Sequence, residues 1–211
     1  MIKRKKNIKT AKGTILLVTA TKAEAAYFSQ MRKDCRYMNL TVEYAGKDED
    51  LTLKDLIDIT SRKKNLRKYD KVWCLFGFDE VGTTKEEVRE YQDYADRKRI
   101  NLCWFDPCFE LWFLLHAAAL PSYVGDAEGI RKKVAGMIGG EFSQEFLLTK
   151  GINLHLQLFS KHAMADINAR KYNEAIRFTH GIEATTMPLF DEMILDVCGA
   201  ADMSHNQKAF K

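Results

Sequence analysis

The feature that most constrains the fold is the alternation of short apolar runs with longer helical patterns in the first half of the chain. Four runs rich in β-branched and aromatic residues predict strands, at residues 14–20 (TILLVTA), 40–45 (LTVEYA), 71–76 (KVWCLF) and 100–105 (INLCWF). Helical patterns lie between them, over residues 21–38, 51–68 and 84–99. Strands separated by crossover helices pair in parallel, so we predict an α/β fold with a mainly parallel four-stranded sheet flanked by helices.

The second half of the chain has a different pattern. Asp106 and Pro107 are typical of a helix start, because aspartate caps helices and proline fits the first helical position. The following residues 108–120 (CFELWFLLHAAAL) are apolar almost all round and predict a buried helix. Beyond residue 122 there are only helical patterns, over residues 127–138, 143–148, 154–168, 171–179 and 189–197. We therefore expect three parts: a basic N-terminal tail (1–13), an α/β domain (14–121) and a helical region packed on it (122–211).

Composition places the chain among globular proteins. Of its 211 residues, 46% are hydrophobic and 29% are charged, which excludes a disordered or fibrous chain. The apolar stretch at residues 111–120 is too short for the roughly 20 residues of a membrane span, and the first 20 residues do not form a secretory signal. We predict a cytoplasmic protein without a membrane segment. The five cysteines include no C-x-x-C pair and are predicted to be free thiols.

Basic side chains are concentrated in two clusters, although the formal net charge is only +4. One cluster lies in the N-terminal tail, at Lys3, Arg4, Lys5, Lys6, Lys9 and Lys12. The other lies at the end of the second predicted helix, at Arg62, Lys63, Lys64, Arg67, Lys68 and Lys71. Clusters of this kind can neutralise the phosphates of a nucleic acid, and the second is our candidate binding surface. A solvated tail and an ordinary helix end are the alternative interpretation.

Acidic side chains follow the predicted strands, at the edge where an open parallel sheet gathers its ligands. The residues after the first, third and fourth strands include Lys22, Glu24, Asp79, Glu80, Asp106 and Glu110. Carboxylates that converge with a lysine could hold a hard divalent cation such as Mg²⁺. Such an ion polarises phosphoryl oxygens and activates water, which indicates phosphodiester chemistry. His116, in the predicted buried helix, is a further candidate for a catalytic role.

Each candidate also has a structural interpretation. Glu24 stands three residues after a threonine, the spacing of a capping box. Asp79 and Glu80 have the composition of an ordinary turn, and Glu110 suits the first turn of a helix. His116 in an apolar helix is typical of a core histidine. The tryptophans are interpreted as core residues rather than base-stacking platforms: Trp73, Trp104 and Trp112.

Several segments resemble those of one known family. Residues 106–116 (DPCFELWFLLH) are similar to the NPCFELWLLLH block of the RloB-like family. Residues 15–28 (ILLVTATKAEAAYF) resemble that family's ILIVCEGEKTEPNYF, residues 69–80 (YDKVWCLFGFDE) its YDEVWCVFDRDE, and residues 185–190 (TTMPLF) its NPSTxVH segment. The resemblance implies a bacterial protein linked to phage defence and abortive infection, of a kind often encoded beside restriction systems or with an ATPase.

The resemblance also implies a Toprim-like core, in which a glutamate after the first strand and an Asp-x-Asp pair after the third hold Mg²⁺. This sequence has Thr19 at the glutamate position and Gly77 at the first aspartate, so only Asp79 remains as a metal ligand of that triad. We expect Mg²⁺ to bind weakly at most, because it gives up water reluctantly and has lost two charged ligands. Glu80 is adjacent, but we expect its side chain to point to the opposite face if the strand continues.

Three hypotheses about function follow. The first is a nucleic-acid- or partner-binding component with a degenerate Toprim-like site, rather than an efficient nuclease. The second is a Mg²⁺-dependent nuclease with a shifted site of Asp79, Glu80, Glu24 and Glu110, in which Lys22 contacts the phosphate. The third is a structural subunit whose helical half docks an ATPase partner.

Overall fold

The computed structural model describes residues 13–47, 50–140 and 142–206. Its first half contains β1 (Ile15–Thr19), α1 (Lys22–Asp34), β2 (Leu40–Tyr44), α2 (Leu53–Leu66), β3 (Lys71–Gly77), α3 (Lys85–Arg97) and β4 (Asn101–Phe105). The strands pair in parallel in the order β2-β1-β3-β4. The predicted α/β fold with a four-stranded parallel sheet is confirmed. Residues 1–12, with the predicted basic tail's lysines and arginine, lie outside the described residues.

The three crossover helices begin in the same way. In each, a threonine hydroxyl accepts a hydrogen bond from the backbone N–H three residues later, and the acid at that position accepts one from the threonine N–H. The pairs are Thr21 with Glu24, Thr52 with Asp55, and Thr84 with Glu87. Helix α1 ends at Asp34 rather than at residue 38, because Arg36 adopts a left-handed conformation (φ 55°) that a helix does not continue through.

Two hydrophobic cores form on opposite faces of the sheet, because neighbouring strand residues point to opposite sides. Leu16 and Val18 of β1 pack with α2 and α3, whereas Ile15 and Leu17 face α1. The core that contains Ile15 and Leu17 extends into the helical half, and Trp112 is fully buried in it. All three tryptophans are at most 8% exposed, which confirms their assignment to the core.

The second half is helical, as predicted. It contains α4 (Leu111–Ala117), α5 (Ala127–Ile138), α6 (Gln144–Leu148), α7 (Leu154–Leu158), α8 (His162–His180) and α9 (Met187–Cys198). The predicted division into helices over residues 154–168 and 171–179 is wrong, because a short 3₁₀ turn (Phe159–Lys161) ends α7 and α8 then runs on to His180. Across the described part of the chain, no helix has the length and apolar character that crossing a bilayer requires.

The predicted helix start at Asp106 is also wrong. Helix α4 begins only at Leu111, and Asp106 caps no helix. The Asp106 carboxylate instead accepts a hydrogen bond from the Tyr123 hydroxyl (2.8 Å) and lies 3.2 Å from the Lys85 ammonium. Glu110 stands at the N-cap position without making a capping hydrogen bond, so its carboxylate is available for other contacts.

The free edge of β4 is covered by a segment that precedes α9. Asp106 N–H donates to Ala184 O (2.8 Å), and Thr185 forms an isolated antiparallel bridge with Phe105. The Thr186 hydroxyl accepts from Trp104 N–H (3.1 Å). Chain from the helical half therefore closes one edge of the sheet.

Candidate functional site

Four carboxyl groups lie at the carboxyl edge of the sheet, and we call them the acidic cluster. Glu24 is in the first turn of α1, Asp79 and Glu80 are in the turn after β3, and Glu110 immediately precedes α4. The side chains of Glu24, Glu80 and Glu110 are at most 5% exposed, and that of Asp79 is 30% exposed. The charge of Glu110 acts on Glu24, and those of Glu24, Asp79 and Glu110 act on Glu80. The four residues therefore share one pocket.

An arginine that the sequence analysis missed occupies this pocket. Arg131 lies on α5, and its Nη2 is 2.6 Å from Asp79 Oδ2, 3.4 Å from Glu110 Oε2 and 3.6 Å from Glu80 Oε1. Its Nε is 3.3 Å from Glu110 Oε1. Burial lowers the pKa of the guanidinium, but the charges of Glu110 and Asp79 outweigh burial and raise that pKa above its ordinary value. Residue 131 is about 50 positions from Asp79, and no local pattern pairs the two.

Glu24 combines the capping role with membership of the cluster. Its Oε2 accepts from Thr21 N–H (2.8 Å), as the capping-box spacing predicts. Its Oε1 has no hydrogen-bond partner among the described residues. Burial raises the pKa of Glu24 to about 8, against which the hydrogen bonds from Thr21 act only in part. This carboxyl group is therefore largely protonated near neutral pH.

Glu80 does not point away from Asp79, so the expectation that the two face opposite sides is wrong. Strand β3 ends at Gly77, and the turn that follows brings both side chains to Arg131. Glu80 Oε1 accepts from Gln144 Nε2 (3.0 Å), and burial raises the pKa of Glu80 well above its ordinary value. A Cβ at Gly77 would collide with Glu80 Oε2. Glu80 thus fills the space that a side chain at residue 77 would need.

Lys22 lies beside the acidic cluster. It lines a cavity of about 250 Å³ together with Tyr44, Glu80 and Gln144. Its ammonium stands 5.5 Å from the centroid of the Tyr44 ring, at cation–π distance. The structure brings Lys22 and Glu80 to one cavity, as the shifted-site hypothesis requires, and it also places the Arg131 guanidinium against the carboxylates.

His116 is not part of the cluster. Its Nδ1–H donates to Trp112 O (2.8 Å), and its ring packs against those of Trp112 (4.8 Å) and His162 (5.9 Å) in the helical half. Burial lowers the pKa of His116 to about 4, which keeps the imidazole neutral. The core-histidine interpretation describes this position, except that Nε2 has no hydrogen-bond partner among the described residues.

The type of donor in the acidic cluster suits a hard cation, but the arrangement does not. Carboxylate oxygens are the ligands that Mg²⁺ prefers. Among the described residues, however, no three His, Cys, Asp or Glu side chains are placed so that they could hold a metal ion. Arg131 lies where the carboxylates converge and compensates part of their charge.

The basic residues predicted to bind nucleic acid lie at the other end of the sheet. They are Arg62, Lys63, Lys64, Arg67 and Lys68 at the end of α2 and Lys71 at the start of β3. The structure adds Arg99, just before β4, which the sequence analysis did not name, and we call the whole set the basic edge. Lys63 pairs with Glu43 (2.9 Å), and Lys64 donates to Lys98 O (2.6 Å), which ties the ends of α2 and α3 together. The seven residues of β3 separate the basic edge from the acidic cluster by about 20 Å.

The comparisons with known proteins identify one family. The sequence model of the RloB-like protein family matches residues 15–189, which is most of the chain. No curated protein and no solved structure matches the chain significantly. The match spans all four strands, the four acidic residues and Arg131. The chain therefore belongs to the RloB-like protein family.

Proposed function

We propose that this protein is a nucleic-acid-binding component that holds the sugar–phosphate backbone on its basic edge, rather than an efficient nuclease. The observation that carries the proposal is the exposure of Arg62, Arg67, Lys68, Lys71 and Arg99 where two helices end and two strands begin. Exposed cations that converge on one side of a domain release counterions from a polyphosphate when they bind it. Contacts of this kind favour the backbone and read no base sequence.

The contacts of Thr14, near the start of the described residues, also support the basic edge as the binding surface. Thr14 N–H donates to Asp70 Oδ2 (2.7 Å), and the Thr14 hydroxyl lies 3.4 Å from Lys68 O. Thr14 is therefore held beside Lys68 of the basic edge, and six basic residues, from Lys3 to Lys12, precede it in the sequence. Nearby acids carry structural contacts of their own, since Asp58 pairs with Lys54 and Lys98.

The same observations weigh against phosphodiester cleavage as the main activity. A phosphate bound at the basic edge is about 20 Å from the acidic cluster, the length of β3. Within that cluster, Arg131 already contacts Asp79, Glu80 and Glu110. We extend the proposal to a role in phage defence, as the family resemblance implies, and to a location in the cytoplasm.

A salt-dependent binding assay tests the proposal. Fluorescence anisotropy with labelled single-stranded RNA, single-stranded DNA and duplex DNA is measured between about 50 and 200 mM NaCl, the range in which phosphate contacts weaken steeply. The triple variant R62E/R67E/K68E should bind at least about tenfold more weakly, with a salt slope reduced by about 2. The control K133E/K150E/K171E changes three exposed lysines of the helical half by the same total charge.

Two outcomes of this assay would contradict the proposal. One is the absence of binding to all three nucleic acids at the lowest salt concentration. The other is an equal loss of affinity in the control variant, which would indicate attraction to net charge rather than to the basic edge. Thermal unfolding of each variant checks that the fold is retained.

An ATPase partner is a second candidate, favoured by apolar side chains that the helical half exposes. Met164, Ile167, Phe178, Leu189 and Leu195 are 44–96% exposed on α8 and α9. Exposed apolar side chains that form one contiguous patch are typical of protein–protein contact surfaces. Co-purification with the product of a neighbouring ATPase gene, lost in the variant M164E/L195E, tests this candidate separately from nucleic-acid binding.

A further inference from the structure

A second cavity lies in the helical half, and we call it the helical cavity. It has a volume of about 330 Å³ and lies between the end of α1, α7, the 3₁₀ turn and the facing sides of α8 and α9. Ala163 and Leu195, which line it, are exposed, so the cavity opens to solvent. Cavities from about 300 Å³ upward hold small organic ligands. The helical cavity is therefore large enough for a small molecule.

The inner wall of the helical cavity is apolar and aromatic. Met31 and Tyr37 line it and are at most 9% exposed, and Phe159 adds a ring from the 3₁₀ turn. The His155 imidazole also lines this wall, and its Nδ1–H donates to Asp34 Oδ2 (2.9 Å), which fixes the orientation of the ring. A wall of this kind favours the apolar part of a ligand, and aromatic faces attract a cation.

Three carboxylates lie among the residues that α8 and α9 contribute to the cavity. Asp166 and Glu192 both pair with Arg170, at 2.9 and 2.8 Å, and Asp191 Oδ2 lies 3.1 Å from His162 Nε2. The Asp191 oxygen is buried and accepts no hydrogen bond of good geometry among the described residues. A buried carboxylate oxygen in this state gains from a further N–H donor.

The charge of Asp191 acts on groups across the cavity. Burial is the main reason that the pKa values of Cys35 and Tyr37 lie above their ordinary values, and the charge of Asp191 adds to both shifts. Burial lowers the pKa of His162, but the charges of Asp191 and Asp166 outweigh burial and raise that pKa above its ordinary value. These shifts share one sign, since each favours the protonated form. The helical cavity therefore favours positive over negative charge.

We propose that the helical cavity binds a small organic cation, namely a protonated amine on an aromatic or aliphatic body. The apolar body lies against Met31 and Phe159, and the ammonium group donates to Asp191 Oδ2. An anionic ligand is disfavoured, because it meets three carboxylates. The cavity shares no residue with the basic edge or the acidic cluster, so this proposal does not rest on nucleic-acid binding.

Three probes that share a phenyl ring and differ in charge test the proposal: 2-phenylethylamine, 2-phenylethanol and phenylacetate. Nuclear magnetic resonance of the chain labelled with ¹³C-methyl methionine follows the Met31 signal, which the variant M31L assigns. We expect the amine to shift this signal in a saturable way and to bind at least about tenfold more tightly than the alcohol. Phenylacetate should bind most weakly of the three.

Variants locate the binding and separate charge from shape. D191N keeps the shape of the side chain and should weaken binding of the amine at least about fivefold, with little effect on the alcohol. The control E174Q changes an exposed glutamate of α8 that does not line the cavity, and it should leave both affinities unaltered. A163W places a large side chain in the opening and should weaken binding of every probe. A118W adds the same side chain at an exposed position outside the cavity and is its control.

Several outcomes would overturn the proposal. One is that no probe shifts the Met31 signal at about 10 mM, a concentration at which even a weak ligand of this size occupies its site. Amine binding that A163W leaves unaltered would lie outside the cavity. Equal affinity for the amine and the alcohol, tighter binding of phenylacetate, or full amine affinity in D191N would each contradict recognition of a cation. Thermal unfolding of each variant confirms that the fold is retained.

Discussion

The two edges of the sheet carry opposite charges and are built in opposite ways. The acidic cluster at the carboxyl edge is mostly buried and is assembled from three separate segments, and Arg131 reaches it from α5 in the helical half. Most of the basic edge is exposed, and all of its residues except Arg99 lie between residues 62 and 71. This difference indicates that the charges of the acidic cluster affect the stability of the fold, whereas those of the basic edge are available for binding.

The largest expected effect concerns the pH dependence of stability at the carboxyl edge. The pKa of Glu24 is raised from its ordinary 4.5 to about 8, so the folded state keeps a proton that the unfolded state has lost between these values. Its contribution to stability is complete below about pH 4.5 and is lost as pH rises through about 8. The unfolding free energy of the wild-type chain should fall between pH 5 and 8. Glu24→Gln should make this fall smaller by about 2–4 kcal/mol.

Urea unfolding at several pH values measures this effect. Glu128→Gln, a change at an exposed glutamate of α5, is the matched control and should leave the pH profile unaltered. Identical profiles for the wild-type chain and Glu24→Gln would mean that Glu24 is ionised in the folded state, and the contrast between the two edges would weaken.

A substitution at Gly77 should have the next largest effect. Its Cβ would collide with Glu80 Oε2 and lie 3.0 Å from Cys108 Cα, so Gly77→Ala should lower the unfolding free energy by about 1–3 kcal/mol. Glu80→Ala removes the colliding carboxylate, and the double variant G77A/E80A should therefore recover part of the loss. Chemical denaturation of the four proteins in this cycle gives the coupling energy.

The control for Gly77 is another glycine of the same chain. A Cβ at Gly136, within α5, has nothing within 4 Å, so Gly136→Ala should be neutral or stabilising by up to about 1 kcal/mol. Additive effects of Gly77→Ala and Glu80→Ala would show that Glu80 does not occupy the space beside residue 77.

The smallest expected effect is at the basic edge. The triple variant R62E/R67E/K68E should change the unfolding free energy by less than about 1 kcal/mol, because exposed charges contribute little to stability. The same variant should bind nucleic acid much more weakly. A loss of stability as large as that of Gly77→Ala would show that the basic edge is structural and would remove the contrast between the edges.

Local patterns in the sequence determined most of what could be predicted about the fold. The four strands follow from β-branched apolar runs, and the start of α1 from the Thr21–Glu24 spacing, because these signals need only neighbouring residues. The start of α4 was predicted wrongly because Asp106 has a capping composition, yet its carboxylate contacts Tyr123 and Lys85 from distant segments. Composition cannot show which of two competing partners an aspartate contacts.

The candidate site was predictable only in part, for the same reason. The topology rule for parallel sheets correctly brought Glu24, Asp79, Glu80 and Glu110 to one edge. The role of Arg131 depends on how α5 packs, and that contact joins residues that no local pattern relates. The direction of the Glu80 side chain depended on where β3 ends, and a strand boundary is the least certain feature of a sequence pattern.

The closure of the sheet by residues 184–186 has a consequence for synthesis of the chain. A nascent polypeptide that has emerged only as far as residue 183 already contains all four strands of the described sheet, yet β4 then lacks its covering segment and presents unpaired backbone groups. An unpaired strand edge of this kind promotes aggregation between incompletely synthesised chains on a polysome. Thr185 and Thr186 are synthesised late in translation, and once they cover the edge of β4 the nascent chain no longer exposes this site of aggregation.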